Sequence, residues 1–70
     1  MTRVRSDMVA NVWKVNVAVG QPVNEGDTIV ILESMKTEIP IEAPIAGVVK
    51  ELNVTEGGTV GEGDVIVVLG

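Results

Sequence analysis

The sequence predicts an all-β fold, namely a flattened β-barrel or sandwich of two small antiparallel sheets related by an internal two-fold repeat (a barrel-sandwich hybrid). Three observations lead to this class. Val (15 residues) and Ile (6 residues) dominate the composition, and their branched Cβ atoms favour extended backbone. Gly (8) and Pro (3) separate the apolar stretches as turn signals. The third observation is that the chain matches itself when it is shifted by 37 residues.

The internal match begins at Val12 in the first copy and at Val49 in the second, and it contains eleven identities. A Glu-Gly-Asp turn occurs at the same place in each copy. Two repeats of this size cannot each bury a core, so they are expected to pack as two halves of one domain. We therefore predict a single domain over residues 1–70, with halves at about 8–33 and 45–70 joined by a hairpin tip at 34–37.

Strands are predicted where apolar residues alternate with polar ones or run together. Val15, Val17 and Val19 alternate with polar or small residues, which predicts a half-buried strand. The stretches 28–32 and 65–69 are apolar on both faces, which is typical of strands inside a sheet.

The segment after the first of these stretches predicts a hairpin with an unusual tip. Residues 38–42 alternate again, with Ile39 and Ile41 toward the core, and Pro40 predicts an exposed strand because it lacks an N–H. The turn then falls on Ser34–Thr37, with Met and Lys at its centre. Tight hairpins favour Gly or Asn there, because positive φ is required, and other residues cost about 1–3 kcal/mol. A local rule broken without structural gain indicates function.

Composition excludes several kinds of site and partner. The chain has no Cys and no His, which excludes disulfides, thiolate or imidazole metal ligands, and Ser-His catalysis. A net charge of -5 and a single aromatic residue speak against nucleic acid as a partner. Asp27 and Asp64 follow glycines in matching turns, so we expect local backbone hydrogen bonds there and no metal site.

The longest apolar run, 65–69, is too short to cross a bilayer, and no signal peptide precedes the domain. These features, with the lack of cysteine, predict a cytoplasmic protein without a membrane partner. Its acidic, compact character predicts a monomer.

Lysine is the remaining chemically informative residue. Lys14 and Lys50 fall in strand-like segments, and Lys36 alone falls at the predicted tip. No acid or base partner accompanies it, so we expect no catalytic residue in this chain. A tip amine on a flexible stem is suited to be a substrate, which another enzyme acylates and which then carries a group.

On these residues the chain resembles the biotinyl/lipoyl attachment domain family, from about Met8 to Leu69. The resemblance is carried by the segment Glu-Ser-Met-Lys-Thr-Glu-Ile at 33–39, by Ala-Pro-Ile-Ala-Gly-Val-Val at 43–49, and by the paired Gly and Glu-Gly-Asp turns. It implies a flattened barrel of two four-stranded sheets and a tip lysine that is joined to its cofactor by an amide.

Carried over to this sequence, the resemblance implies covalent biotin on Lys36, with Ser34, Met35 and Thr37 forming the tip that a biotin protein ligase recognises. It also implies a biotin carboxylase and a carboxyltransferase as partners, between which the tethered biotin carries CO2. Met35 is typical of biotin carriers, whereas lipoyl carriers usually have Asp there. Thr37 departs from the family, because biotin carriers usually have a second Met. Lipoate on the same lysine, or an unmodified adaptor module of the same fold, remain as alternatives.

Overall fold

The computed structural model describes residues 1–70 and contains eight β-strands and no helix. No segment is a helix long and apolar enough to span a membrane. The strands are β1 (Thr2–Arg5), β2 (Ala10–Val15), β3 (Pro22–Val23), β4 (Thr28–Ser34), β5 (Thr37–Glu42), β6 (Gly47–Leu52), β7 (Thr59–Val60) and β8 (Val65–Leu69).

The strands form two four-stranded antiparallel sheets, in the orders β1-β8-β6-β3 and β5-β4-β2-β7. The sheets pack against each other around one apolar core in a body of 31 × 18 × 17 Å. The predicted fold class is therefore confirmed as a flattened sandwich, and neither sheet closes into a barrel. The apolar strands β4 and β8 are paired on both sides, as expected of strands inside a sheet.

The internal two-fold repeat is present in the strand pairing itself. Leu32 pairs with Ile39 in the β4–β5 ladder, and Leu69 pairs with Thr2 at the equivalent place in the β8–β1 ladder. The irregularities repeat as well, since the register of β2 shifts at Trp13 and that of β6 shifts at the equivalent Lys50. The two halves therefore have the same strand pairing, including a β-bulge at the equivalent position.

One segment of the chain lacks a counterpart in this symmetry. The shift of 37 residues places Glu33 on Gly70 and Glu38 on Met1, so the turn Ser34–Thr37 has no mate. The chain ends occupy the equivalent place in the other half, where β1 and β8 pair side by side. The two-fold therefore puts the hairpin tip and the termini on opposite sides of the domain.

The core is built from equivalent residues of both halves. Ile29, Leu32, Ile66 and Leu69 are fully buried, and they belong to a cluster of 15 buried apolar residues. Burying each such side chain contributes about 1.5–3 kcal/mol. Ile39 and Ile41 of β5 pack against this cluster, which ties the hairpin that carries the tip to the core.

The strand predicted across Val15–Val19 is placed wrongly. The strand is β2, which ends at Val15, and Val19 is 63% exposed. The chain leaves the sheet after the N–H of Asn16 donates to the Ile29 carbonyl at 2.9 Å. The backbone then turns, with the N–H of Gln21 donating to the Ala18 carbonyl at 3.1 Å. The valine alternation thus continues past the last residue that a neighbouring strand can pair.

The Glu-Gly-Asp turns use their aspartates as predicted. One carboxylate oxygen, Oδ2, of Asp27 accepts the backbone N–H of Asn24 at 2.8 Å, and Oδ2 of Asp64 accepts that of Gly61 at 2.7 Å. The intervening Gly26 has φ of 89°, a conformation that side chains with a Cβ rarely adopt. No group of three or more potential metal-ligating side chains is present.

Asp27→Ala and Asp64→Ala are each expected to lower the free energy of unfolding by about 1 kcal/mol, because each leaves a turn N–H without its acceptor. Asp27→Asn and Asp64→Asn are the matched controls, since the amide oxygen can still accept that bond. Urea unfolding measures the difference. Equal stability of the Ala and Asn variants, or a rise in Tm on adding Ca²⁺ or Mg²⁺, contradicts the turn role.

Candidate functional site: the hairpin tip

The tip is a two-residue turn between β4 and β5. Ser34 and Thr37 form the last pair of the ladder, and Met35 and Lys36 have φ of 52° and 64°. A two-residue hairpin loop with both central residues at positive φ matches the twist of antiparallel strands. Met35 and Lys36 are the only non-glycine residues of the chain with positive φ. The structure therefore joins the four residues predicted as a site into one turn.

The ladder beneath the turn holds this conformation in place. The β4–β5 pairing continues from Ser34–Thr37 down to Thr28–Glu42, and Leu32 anchors it in the core. Left-handed backbone costs about 1–2 kcal/mol for a residue with a Cβ. The strand pairing offsets this cost, so the turn forms despite the residues at its centre.

The tip displays its side chains to solvent. Met35 is 95% exposed, and Lys36 is exposed as well. The Lys36 amine makes no hydrogen bond within the chain. Lys14 and Lys50 are also exposed, but they lie within β2 and β6, and the stem of Lys50 lies close to Gly70. Lys36 is therefore the one lysine that a second protein can reach from the end of the domain.

Carboxylates surround the base of the tip. Glu33 and Glu38 are directly opposite each other, one pair below Ser34 and Thr37. Like charges in opposed positions destabilise a sheet. The sequence predicts that Glu33, Glu38 and Glu42 flank Lys36, and the register adds that Glu33 and Glu38 face each other directly. The tip therefore has the Lys36 amine at its end and two carboxylates one residue pair below the turn. This charge pattern favours a partner with basic side chains around its binding site.

Met35→Gly is expected to raise the free energy of unfolding by about 0.5–1 kcal/mol, because glycine adopts positive φ without a Cβ clash. Met35→Val is the opposing variant, and it is expected to lower stability by a similar amount, since a branched Cβ is least tolerated there. Thermal unfolding of both variants beside the parent measures the effect. A Met35→Val variant as stable as Met35→Gly contradicts the strain at this turn.

Comparison with known proteins identifies the family. The family model described as "Biotin-requiring enzyme", the biotin/lipoyl model, matches residues 2–69. The chain belongs to the biotin/lipoyl attachment family. Domains of this family carry a cofactor and do not catalyse, so this biotin/lipoyl attachment domain is a carrier and not itself an enzyme.

Two curated bacterial proteins are similar to this domain. The Biotin/lipoyl attachment protein of Bacillus subtilis (strain 168) is 49% identical over 49 residues, which are 70% of this chain and 67% of that protein. The Biotinylated protein TB7.3 homolog of Mycobacterium leprae (strain TN) is 47% identical over 49 residues, which are 70% of this chain and 69% of that protein. The family description and the name of the mycobacterial relative support biotin as the group that the domain carries.

Solved structures of carboxylases contain the same fold. The urea carboxylase of Kluyveromyces lactis aligns with a TM-score of 0.89 at 34% identity, covering 97% of this chain and 6% of that one. A single-chain, multi-domain long-chain acyl-CoA carboxylase aligns with a TM-score of 0.88 at 30% identity, covering 94% of this chain and 6% of that one. The attachment domain thus corresponds to a small part of each carboxylase.

Proposed function

We propose that this chain is a biotin carrier domain in which a biotin protein ligase acylates Lys36. The observation that carries the proposal is the placement of this lysine, whose amine stands on a two-residue turn without a hydrogen bond. That amine fits amide attachment of a carboxylic acid cofactor, because the bond requires only an accessible nitrogen. Ser34, Met35 and Thr37 are the tip residues that the ligase contacts.

The attachment step is an acyl transfer to the lysine. The Lys36 Nζ, after losing a proton to water or to the ligase, attacks the carbonyl carbon of biotinyl-AMP. The new C–N amide bond forms as the C–O bond to the phosphate breaks, and AMP leaves. The domain contributes position to this step: its ladder holds the turn, and the flexible lysine stem reaches into the ligase. Acylation removes one positive charge and takes the formal net charge from -5 to -6.

The partners of the loaded domain are a biotin carboxylase and a carboxyltransferase. When attached, biotin supplies the ureido nitrogen that carries CO2 from the first enzyme to the second. The contribution of the domain is a tether, which converts two encounters in solution into transfers at high effective concentration. The likeness to two carboxylases supports this assignment. We further propose that the domain itself is a monomer.

Met35 favours biotin over lipoate, since lipoyl carriers usually have Asp at this position. Thr37 stands where biotin carriers usually have a second Met. The name of the Bacillus relative contains both cofactors, whereas the mycobacterial relative is named for biotin alone. Lipoate on the same lysine is therefore the second candidate.

Intact mass spectrometry distinguishes these functions. The purified domain is incubated with ATP and biotin plus a biotin protein ligase, and separately with ATP and lipoate plus a lipoate ligase. We expect one biotinyl adduct per chain in the first reaction and little adduct in the second. A lipoyl adduct alone identifies a lipoyl carrier. The absence of any adduct overturns the proposal in favour of an adaptor module.

A further inference from the structure

The outward face of the sheet β5-β4-β2-β7 carries an apolar strip close to the tip. Pro40 pairs with Ile31, and Ile31 pairs with Lys14 beside the bulge at Trp13. Trp13 is 49% exposed, Pro40 is exposed, and Ile31 is half-buried outside the core cluster. These three residues, Trp13, Ile31 and Pro40, form what is called here the apolar strip.

The internal two-fold shows that the fold does not require apolar residues at two of the three positions of this strip. The shift of 37 residues places Trp13 on Lys50 and Pro40 on Arg3, so the equivalent face of the other sheet is charged at both of these positions, whereas Ile31 falls on the apolar Val68. The outward faces of the two sheets have the same strand pairing and a β-bulge at the equivalent position. The apolar side chains of Trp13 and Pro40 are therefore not required by the strand pairing that the two halves share.

Acidic residues lie between the strip and the tip. The pair Glu33–Glu38 occupies the outward row nearer to the turn, two pairs above Ile31–Pro40. Trp is among the residue types that are enriched at the energetically dominant positions of protein interfaces, and Trp13 is half exposed beside charged residues. A partner that fits this face would have an apolar contact area, with basic side chains toward Glu33 and Glu38 and none required next to Lys14.

We propose that the apolar strip docks the ligase that acylates Lys36. The proposal rests on the proposed function, and it adds a surface that the family resemblance does not assign. The strip lies three residue pairs, or about 10 Å, from Ser34–Thr37 along the hairpin. An enzyme that reacts with the lysine nitrogen itself must approach the hairpin within that range. Enzymes that act on the far end of the attached cofactor are separated from the hairpin by the length of the lysine side chain and the cofactor. Such enzymes have less need to contact this surface.

Trp13→Lys tests the proposal, because it installs the residue that the two-fold mate already tolerates. Steady-state biotinylation by a purified biotin protein ligase is measured at varied carrier concentration, with urea unfolding as the check on folding. We expect KM for the carrier to rise about tenfold, with kcat within about twofold of the parent, since the variant removes binding and leaves the reacting amine in place. Lys50→Trp is the matched control, and its KM is expected to equal that of the parent.

Other results identify another occupant or none. If the parent is biotinylated and Trp13→Lys shows the parental KM, the docking proposal is wrong while the proposed function stands. If Trp13→Lys impairs carboxylation of the biotinylated domain but not biotinylation, the strip serves a biotin carboxylase, and the proposal is overturned. Sedimentation equilibrium that shows a parent dimer dispersed by Trp13→Lys overturns it in favour of self-association. A parent that accepts no biotin overturns the proposed function itself, and the docking role with it.

Discussion

Lys36→Arg is expected to remove every covalent adduct from the domain while leaving it folded. The guanidinium keeps the charge and most of the length of lysine, but it lacks the nucleophilic amine that forms an amide. The tip side chain is exposed and makes no hydrogen bond within the chain, so the free energy of unfolding should change by less than about 0.5 kcal/mol. Intact mass after incubation with ligase, ATP and biotin measures the loss of the adduct.

Lys14→Arg and Lys50→Arg are the controls for this experiment. Both lysines lie within strands, and each variant is expected to accept one biotinyl group as the parent does. An adduct that persists on Lys36→Arg, or that disappears from either control, assigns attachment to a different lysine.

Leu32→Ala is expected to lower the free energy of unfolding by about 2–5 kcal/mol, because the side chain is fully buried and leaves a cavity. A domain of this length has a total stability of only roughly 3.5–10 kcal/mol at typical values per residue, so the variant populates the unfolded state at modest urea concentrations. Urea unfolding followed by Trp13 fluorescence measures the change. Biotinylation should fall in proportion to the folded fraction, because the β4–β5 strand pairing, which Leu32 anchors in the core, holds the turn in its conformation.

Leu69→Ala is the symmetry-matched variant, buried in the equivalent place of the other half and remote from the tip. It should cost a similar free energy and reduce biotinylation only through unfolding. Leu52→Ala, at a partly buried position, should cost less than either. Unchanged urea midpoints in the two buried variants would contradict the shared core.

The tip was predictable from the sequence because a rule of turn chemistry applies to it directly. A hairpin interrupted by Met and Lys, in a chain that uses Gly at its other turns, indicates that the lysine is displayed for a purpose. The sandwich was predictable for a similar reason, since a repeat offset of 37 residues and two fully apolar strands leave few other packings. In both cases the signal can be found by inspecting residue types and their spacing, without knowing which strands pair.

What the sequence did not reveal depends on partners far along the chain. β1 (Thr2–Arg5) alternates Val4 with two arginines over four residues, and it is a strand because β8 pairs with it. Its mate in the other half has no identical residue, so the self-match could not extend to it. The bulges at Trp13 and Lys50 are likewise invisible, because they arise from the register between strands.

The pairing of Thr2 with Leu69 has a consequence for engineering the molecule. Since only the four residues Ser34–Thr37 lack a counterpart, a four-residue linker from Gly70 back to Met1 completes the second hairpin and yields a cyclic polypeptide. A linker of the sequence Ser-Met-Lys-Thr would then give the circularised protein two attachment lysines, one at each end of the domain. Cleaving the cyclic protein within Ser34–Thr37 would produce a circular permutant whose one remaining attachment lysine lies in the linker between Gly70 and Met1.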